Sequence, residues 1–149
     1  MAIVIGIDVG ISTTKIVGIN EDGKVVSPIR IKATDPVTSL YGAFGKYLYD
    51  NNISLSDIEQ VMLTGVGSAY IDSPIYGLPT GKSDEFLADG LGARYETGLN
   101  RMIVVSMGTG TSLVQCDGDD IRHIGGTGIG GGTLMGLSRI MLKTDDIKQ

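Results

Sequence analysis

Residues 103–124, IVVSMGTGTSLVQCDGDDIRHI, repeat the plan of residues 3–31, IVIGIDVGISTTKIVGINEDGKVVSPIRI. Each copy opens on an apolar β-type run, Ile3–Asp8 or Ile103–Ser106, and turns through a segment of glycine and hydroxyl residues, VGISTT or MGTGTS. A second run follows, Lys15–Asn20 or Leu113–Cys116. Then come an acidic glycine turn, Glu21-Asp22-Gly23 or Asp117-Gly118-Asp119, and a third run, Lys24–Ile31 or Ile121–Ile124. Setting Gly108 on Gly10 brings Ser106 onto Asp8, Thr111 onto Thr13 and Ser112 onto Thr14. Short β-branched runs joined by such turns read as antiparallel meanders. A plan used twice in one chain reads as a duplicated lobe.

The remaining segments complete the first copy. Asp35-Pro36 forms an N-cap followed by an N1 proline, and Leu40, Phe44 and Leu48 recur at helical spacing up to Asn51-Asn52, which predicts a helix over the first meander. Ile58–Thr64 reads as one of two further strands, followed by a turn at Gly65–Gly67, and Pro74 and Pro79 limit any short helix between them. Asp84–Leu99 predicts a second helix with Leu87, Leu91 and Tyr95 on its buried stripe. In the second copy, Gly132–Lys143 predicts a helix whose Leu134, Leu137 and Met141 cover the second meander. The segment before it, IRHIGGTGIGGGTLMG (121–136), holds seven glycines from Gly125 onward and reads as the exit of that meander into the helix. The expected domains are residues 1–100, a complete lobe, and residues 101–149, the start of a second lobe that is incomplete. The expectation is therefore an N-terminal fragment that folds its first lobe, with half of the second missing.

Composition narrows the function classes. With 42% apolar and 19% charged residues the chain can bury a core. The net charge of -5 includes no run of Lys and Arg to neutralise successive phosphates, which argues against nucleic acid as a partner. No apolar stretch approaches the ~20 residues that span a bilayer, so no membrane partner and a cytoplasmic location are expected. One cysteine, Cys116, and one histidine, His123, leave no metal cluster of soft ligands. Catalysis would rest on carboxylates, Lys, Arg, hydroxyls and backbone amides. Glycine is the outlier at 23 of 149 residues, clustered beside apolar runs as ordered turns are.

A turn that aims several backbone N–H groups at one point cradles an anion, and glycine allows a phosphate to approach closely. Val9–Thr14 and Met107–Ser112, facing each other, would hold the two ends of a triphosphate. Ser12, Thr13, Thr14, Thr109, Thr111 and Ser112 would add hydroxyl donors, Lys15 a cation and Asp8 a carboxylate for hydrated Mg2+. Ordinary hairpin tips are equally compatible with these residues. Neither turn has the spacing GxxxxGK[ST], and neither leads from a strand directly into a helix as a dinucleotide fingerprint does.

IGIDVGISTTK (5–15) resembles the first phosphate loop of the actin, hexokinase and Hsp70 superfamily. That resemblance implies an α/β fold of duplicated ribonuclease H-like lobes, here with the second truncated. Within the superfamily, GIDVGISTTKIV, then DEFLADGLGARY after LTGVGS, and VSMGTGTSLV running on to HIGGTGIGGGTLMGL resemble the type II pantothenate kinases. Such kinases transfer the γ-phosphoryl of ATP to the primary hydroxyl of pantothenate, the first step of coenzyme A synthesis.

The resemblance implies Glu85 as the catalytic base and Asp8 as the Mg2+-associated carboxylate, through water where the ion keeps its shell. It implies ATP and phosphate contacts at Gly10, Ser12, Thr13 and Lys15, at Gly108, Thr109 and Gly110, and at Gly128, Gly130 and Gly131. Thr109 and Ser112 match residues lining the pantothenate or coenzyme A site. Arg122 and His123 are candidates for substrate contact, His123 standing where the family usually has arginine, and Arg122 would point to the opposite face of the strand. Ile11 replaces a glycine common in the first loop. Coenzyme A or an acyl-CoA as feedback ligand and a homodimer of the full-length protein are further implications. The alternatives are another small-molecule kinase of the superfamily, such as one for an acetylated amino sugar, and a non-catalytic nucleotide- or CoA-sensing domain. An activator of acyl-CoA dehydratases shares the fold, but its subunit-bridging iron–sulfur cluster needs cysteines beyond Cys116.

Overall fold

The computed structural model describes residues 2–144, and the chain divides into two compact units between Glu85 and Phe86. The first unit holds a five-stranded mixed sheet in the order β3-β2-β1-β4-β5. Its strands are β1 (Ile3–Val9), β2 (Thr13–Asn20), β3 (Val25–Lys32), β4 (Ile58–Thr64) and β5 (Thr80–Lys82). The first three form the expected antiparallel meander, whereas β1 takes β4 and β4 takes β5 in parallel.

Alternation in β1 sets the core, since Ile3, Ile5, Ile7 and Val9 are buried on one face. Helix α1 (Pro36–Asn51) covers that face with Leu40, Ala43, Phe44 and Tyr47, and Val61 and Leu63 of β4 join the same cluster. Each Ile or Leu removed fully from water contributes about 1.5–3 kcal/mol, so this packing holds the unit together. The ends of α1 follow from sequence. The Asp35 carboxylate accepts the Thr38 N–H at 2.7 Å, Pro36 has no N–H in need of an acceptor, and Asn52 adopts the left-handed conformation that stops the helix. Bonding to Thr38 holds the Asp35 carboxyl below its ordinary value of 3.8.

The second unit repeats the meander as a three-stranded antiparallel sheet of β6 (Arg101–Met107), β7 (Thr111–Asp117) and β8 (Asp120–Thr127). Helix α2 (Glu85–Thr97) packs on it, and the division between the two compact units falls at the start of this helix. Gly90 of α2 sits against Ile121 and Cys116, and the Arg94 guanidinium donates to the Gly118 carbonyl at 2.8 Å and pairs with Asp119 at 3.0 Å. The expected stripe is therefore misplaced. Leu87, Leu91 and Tyr95 are exposed, and the face that packs is the one carrying Gly90 and Arg94. Helix α3 (Gly131–Met141) has no buried residue, so Leu134, Leu137 and Met141 do not cover the sheet as expected. Among the described residues no helix is long and apolar enough to cross a membrane.

Candidate functional site

In the first unit the glycine turn is shorter than the sequence suggests, because β2 begins at Thr13 and only Gly10–Ser12 lie between strands. Within the turn the Gly10 N–H donates to the Thr13 carbonyl at 3.0 Å, so this amide closes the hairpin. Strand alternation then sorts the hydroxyls. Thr14 is fully buried on the core side with no hydrogen-bond partner for its hydroxyl, which corrects its expected place among the ligand donors.

Asp8 and Lys15 face each other across the β1–β2 ladder, and the Lys15 ammonium donates to Asp8 Oδ2 at 2.6 Å. The Asp8 side chain is 23% exposed and that of Lys15 54%, so solvent screens the pair and it adds little to stability. Its consequence is positional: the ammonium holds a carboxylate at the mouth of the turn. On the other edge of β1, Asp8 lies in register with Thr64, and the chain beyond Thr64 enters the turn Gly65–Gly67. Gly65 has φ +82° and packs against Asp8 and the Val9 carbonyl, while Gly67 packs against Val9 and Pro36. The sequence assigns these glycines no role. Their signal was the pair of glycines one residue apart directly after a strand.

In the second unit, the turn Gly108–Gly110 and the segment Gly128–Gly132 are packed backbone to backbone. The Gly131 N–H donates to the Gly108 carbonyl at 2.9 Å and the Gly132 N–H to the Thr109 carbonyl at 3.1 Å. Thr111 Oγ1 donates to the Ile129 carbonyl at 2.8 Å, and the Gly108 N–H to the Gly110 carbonyl at 2.8 Å. A Cβ on Gly130 would lie 2.6 Å from both the Thr109 and Gly110 carbonyl oxygens. These glycines are explained by the contact between two loops. The amides of Gly131 and Gly132 are occupied by it and that of Gly108 by its own turn, which leaves a phosphate to be met by other donors or by a changed loop pairing. The sheet itself contains Gly125 and Gly126, since β8 runs on to Thr127 past the residues that read as a turn.

The Arg122 and His123 pair is divided by β8. A bulge between Leu113 and Val114 sets His123 opposite the buried Val114 and Arg122 opposite Gln115, so the two side chains take opposite faces, as strand alternation requires. Arg122 donates to Gln115 Oε1 at 3.4 Å. His123 stacks on Phe86, with ring centroids 4.2 Å apart and planes inclined by 16°. Glu85 precedes Phe86 and is exposed at the first position of α2.

The model of the Fumble family matches residues 94–149. A type II pantothenate kinase of Bacillus cereus is 30% identical over an alignment of 149 residues that covers 95% of this chain and 50% of the relative. One of Staphylococcus epidermidis is 33% identical over 101 residues, covering 62% of this chain and 37% of the relative. The chain thus spans about half the length of the first of these relatives. Among solved structures, the activator of the 2-hydroxyisocaproyl-CoA dehydratase from Clostridium difficile, with bound ADPNP, superposes with a TM-score of 0.77 at 16% identity, covering 96% of this chain and 53% of its own. The ethanolamine utilization protein EutJ from Carboxydothermus hydrogenoformans gives 0.68 at 19% identity, covering 95% and 57%. The chain shares the fold of these two solved structures, and in sequence it resembles the type II pantothenate kinases along nearly its whole length.

Proposed function

We propose that this chain, similar to type II pantothenate kinases over 95% of its length, forms part of an ATP-dependent kinase that phosphorylates pantothenate. That extended likeness is the observation that carries the reading. The fold is shared with proteins of several activities and supplies only the scaffold.

In this reading the oxygen of the pantothenate primary hydroxyl forms a bond to the γ-phosphorus of ATP. The bond from that phosphorus to the bridging oxygen breaks, and ADP leaves. Glu85, exposed at the start of α2, takes the hydroxyl proton. Asp8 would hold Mg2+ through its water shell: a partly exposed carboxylate at the mouth of the turn is the hard oxygen donor such an ion takes while it keeps several waters. When bound, the ion neutralises charge on the transferred group. Lys15 orients Asp8 and brings a positive charge to the first turn. Phosphate contacts are assigned to Gly10, Ser12 and Thr13 in the first unit and, separately, to Gly108, Thr109, Gly110, Gly128, Gly130 and Gly131 in the second, with acceptor contacts at Ser112 and Thr109. His123, stacked on Phe86, braces the first turn of the Glu85 helix, and Arg122, on the other face of β8 and 3.8 Å from the Asp120 carboxylate, is the candidate cation for an acidic ligand.

The test is an assay of the polypeptide as the cell makes it, with Mg2+, ATP and either pantothenate or an N-acetylated amino sugar. Mass spectrometry showing 4'-phosphopantothenate supports the reading. Phosphorylation of the sugar alone, or nucleotide binding without transfer to either alcohol, overturns it.

A further inference from the structure

The Gly65–Gly67 turn lies against the last two residues of β1, where the first glycine turn begins. Gly65 has φ +82°, a conformation that costs an L side chain strain, and a Cβ there would overlap Asp8 Oδ1 and stand 2.7 Å from the Val9 carbonyl oxygen. The Val9 carbonyl belongs to a central strand and cannot yield cheaply, so the group that must shift is the Asp8 carboxylate, which meets Lys15 on its other side at 2.6 Å. The carboxylate thus lies between an ammonium at Oδ2 and, at Oδ1, the space that Gly65 leaves open by lacking a side chain.

Strain and fit can be separated in this chain. Gly23, in the turn between β2 and β3, has φ +74° with nothing within 4 Å of an added Cβ, so alanine there meets the same backbone cost and touches no functional group. At Gly65 the missing side chain clears the space that the carboxylate fills.

We propose that Gly65 is a positioning residue for Asp8: its lack of a side chain sets where the carboxylate presents itself to a divalent cation bound with nucleotide. The inference rests on the role assigned to Asp8 in the kinase reading. It extends the functional set to a residue on a different strand connection, which touches neither metal nor nucleotide itself.

The test measures Mn2+ binding by electron paramagnetic resonance in the presence of a non-hydrolysable ATP analogue, with thermal unfolding recorded in parallel. Gly65→Ala is expected to weaken Mn2+ binding by about 10- to 100-fold, the usual effect of losing a partner that orients a metal ligand. Asp8→Asn weakens it at least as much, and Gly23→Ala lowers the melting temperature while leaving Mn2+ binding unchanged. If Asp8→Asn weakens binding and Gly65→Ala does not, the positioning role is overturned and the reading of Asp8 stands. If neither weakens it, the reading of Asp8 falls and the inference with it. Asp8→Glu covers the case in which Gly65→Ala does not fold. The longer side chain keeps the charge but cannot occupy the same fit over Gly65, so loss of binding supports the proposal and full retention overturns it.

Discussion

The imidazole of His123 lies on the ring of Phe86, centroids 4.2 Å apart, and so ties strand β8 to the first turn of α2 one residue after Glu85. Such stacked pairs contribute roughly 0.5–1.5 kcal/mol beyond area burial. His123→Ala is expected to lower stability by about that amount, read as a shifted urea midpoint at constant m-value, and to lower turnover by loosening the helix that carries Glu85. His123→Phe keeps a stacking ring and retains both. An alanine variant with unchanged stability and unchanged turnover would show that the stack does neither.

Glu85 carries the proposed proton transfer, and a positioned base typically contributes 10²- to 10⁴-fold. Glu85→Gln preserves size and removes basicity. Steady-state assays should therefore show kcat down by about that factor, with KM for ATP little changed. Normal turnover of the glutamine variant removes Glu85 from the mechanism.

The contact between the two glycine segments of the second unit gives a sharp steric prediction. Gly130 has φ -165°, extended backbone open to any residue, so the obstacle to a side chain is space alone. A Cβ 2.6 Å from two carbonyl oxygens forces the loops apart, and overpacking of this kind costs about 1–3 kcal/mol. Gly130→Ala should lower the unfolding midpoint and speed hydrogen exchange at the Gly131 and Gly132 amides, which bond to Gly108 and Thr109. Gly136→Ala, with open space around it on α3, should leave both intact. Equal exchange in the two variants would mean that the loops are not held by this contact.

The local alternation of β1 and β2, the acidic glycine turns and the Asp35-Pro36 start of α1 were all legible in the sequence, because strand period and capping chemistry are local properties. The packing faces of α2 and α3 were not. Apolar periodicity pointed to Leu87, Leu91 and Tyr95, yet what brings α2 onto the sheet is a small residue, Gly90, that lets Ile121 and Cys116 come close. Close approach leaves no hydrophobic signature. The same holds for the candidate site: Asp8 and Lys15 stood out as chemistry in a turn, whereas Gly65 and the occupied amides of Gly131 and Gly132 depend on which backbones meet in space.

That difference is testable on α2. Gly90→Val would drive a branched side chain into Ile121, whose nearest carbon lies 2.5 Å from the Cβ position, and into Cys116 Sγ at 3.1 Å. Denaturant unfolding should show a loss at the upper end of the ~1–3 kcal/mol range for overpacking. Leu91→Lys, on the exposed face, should change stability by no more than about 0.5 kcal/mol in the 149-residue chain. The reverse ranking would restore the leucine stripe as the packing face.

Tyr47 links helix to sheet by a polar contact inside the core of the first unit. Its ring is fully buried, its hydroxyl donates to the Val26 carbonyl of β3 at 2.7 Å, and Gly18 leaves the room in which that oxygen sits. Burial pushes the phenol above its ordinary value of 10.0, because the anion would lose its hydration. The unfolded chain therefore ionises first as pH rises. Stability from the neutral phenol is fully present below pH 10 and is lost as pH climbs from there through the folded value. Tyr47→Phe removes the hydrogen bond and leaves the Val26 carbonyl without it, for a loss of about 0.5–1.5 kcal/mol at neutral pH. It also removes this one source of alkaline destabilisation, so the gap between wild type and variant should narrow when urea unfolding is repeated above pH 10. A gap that stays constant across that range would show that the Tyr47 phenol ionises alike in the folded and unfolded chain.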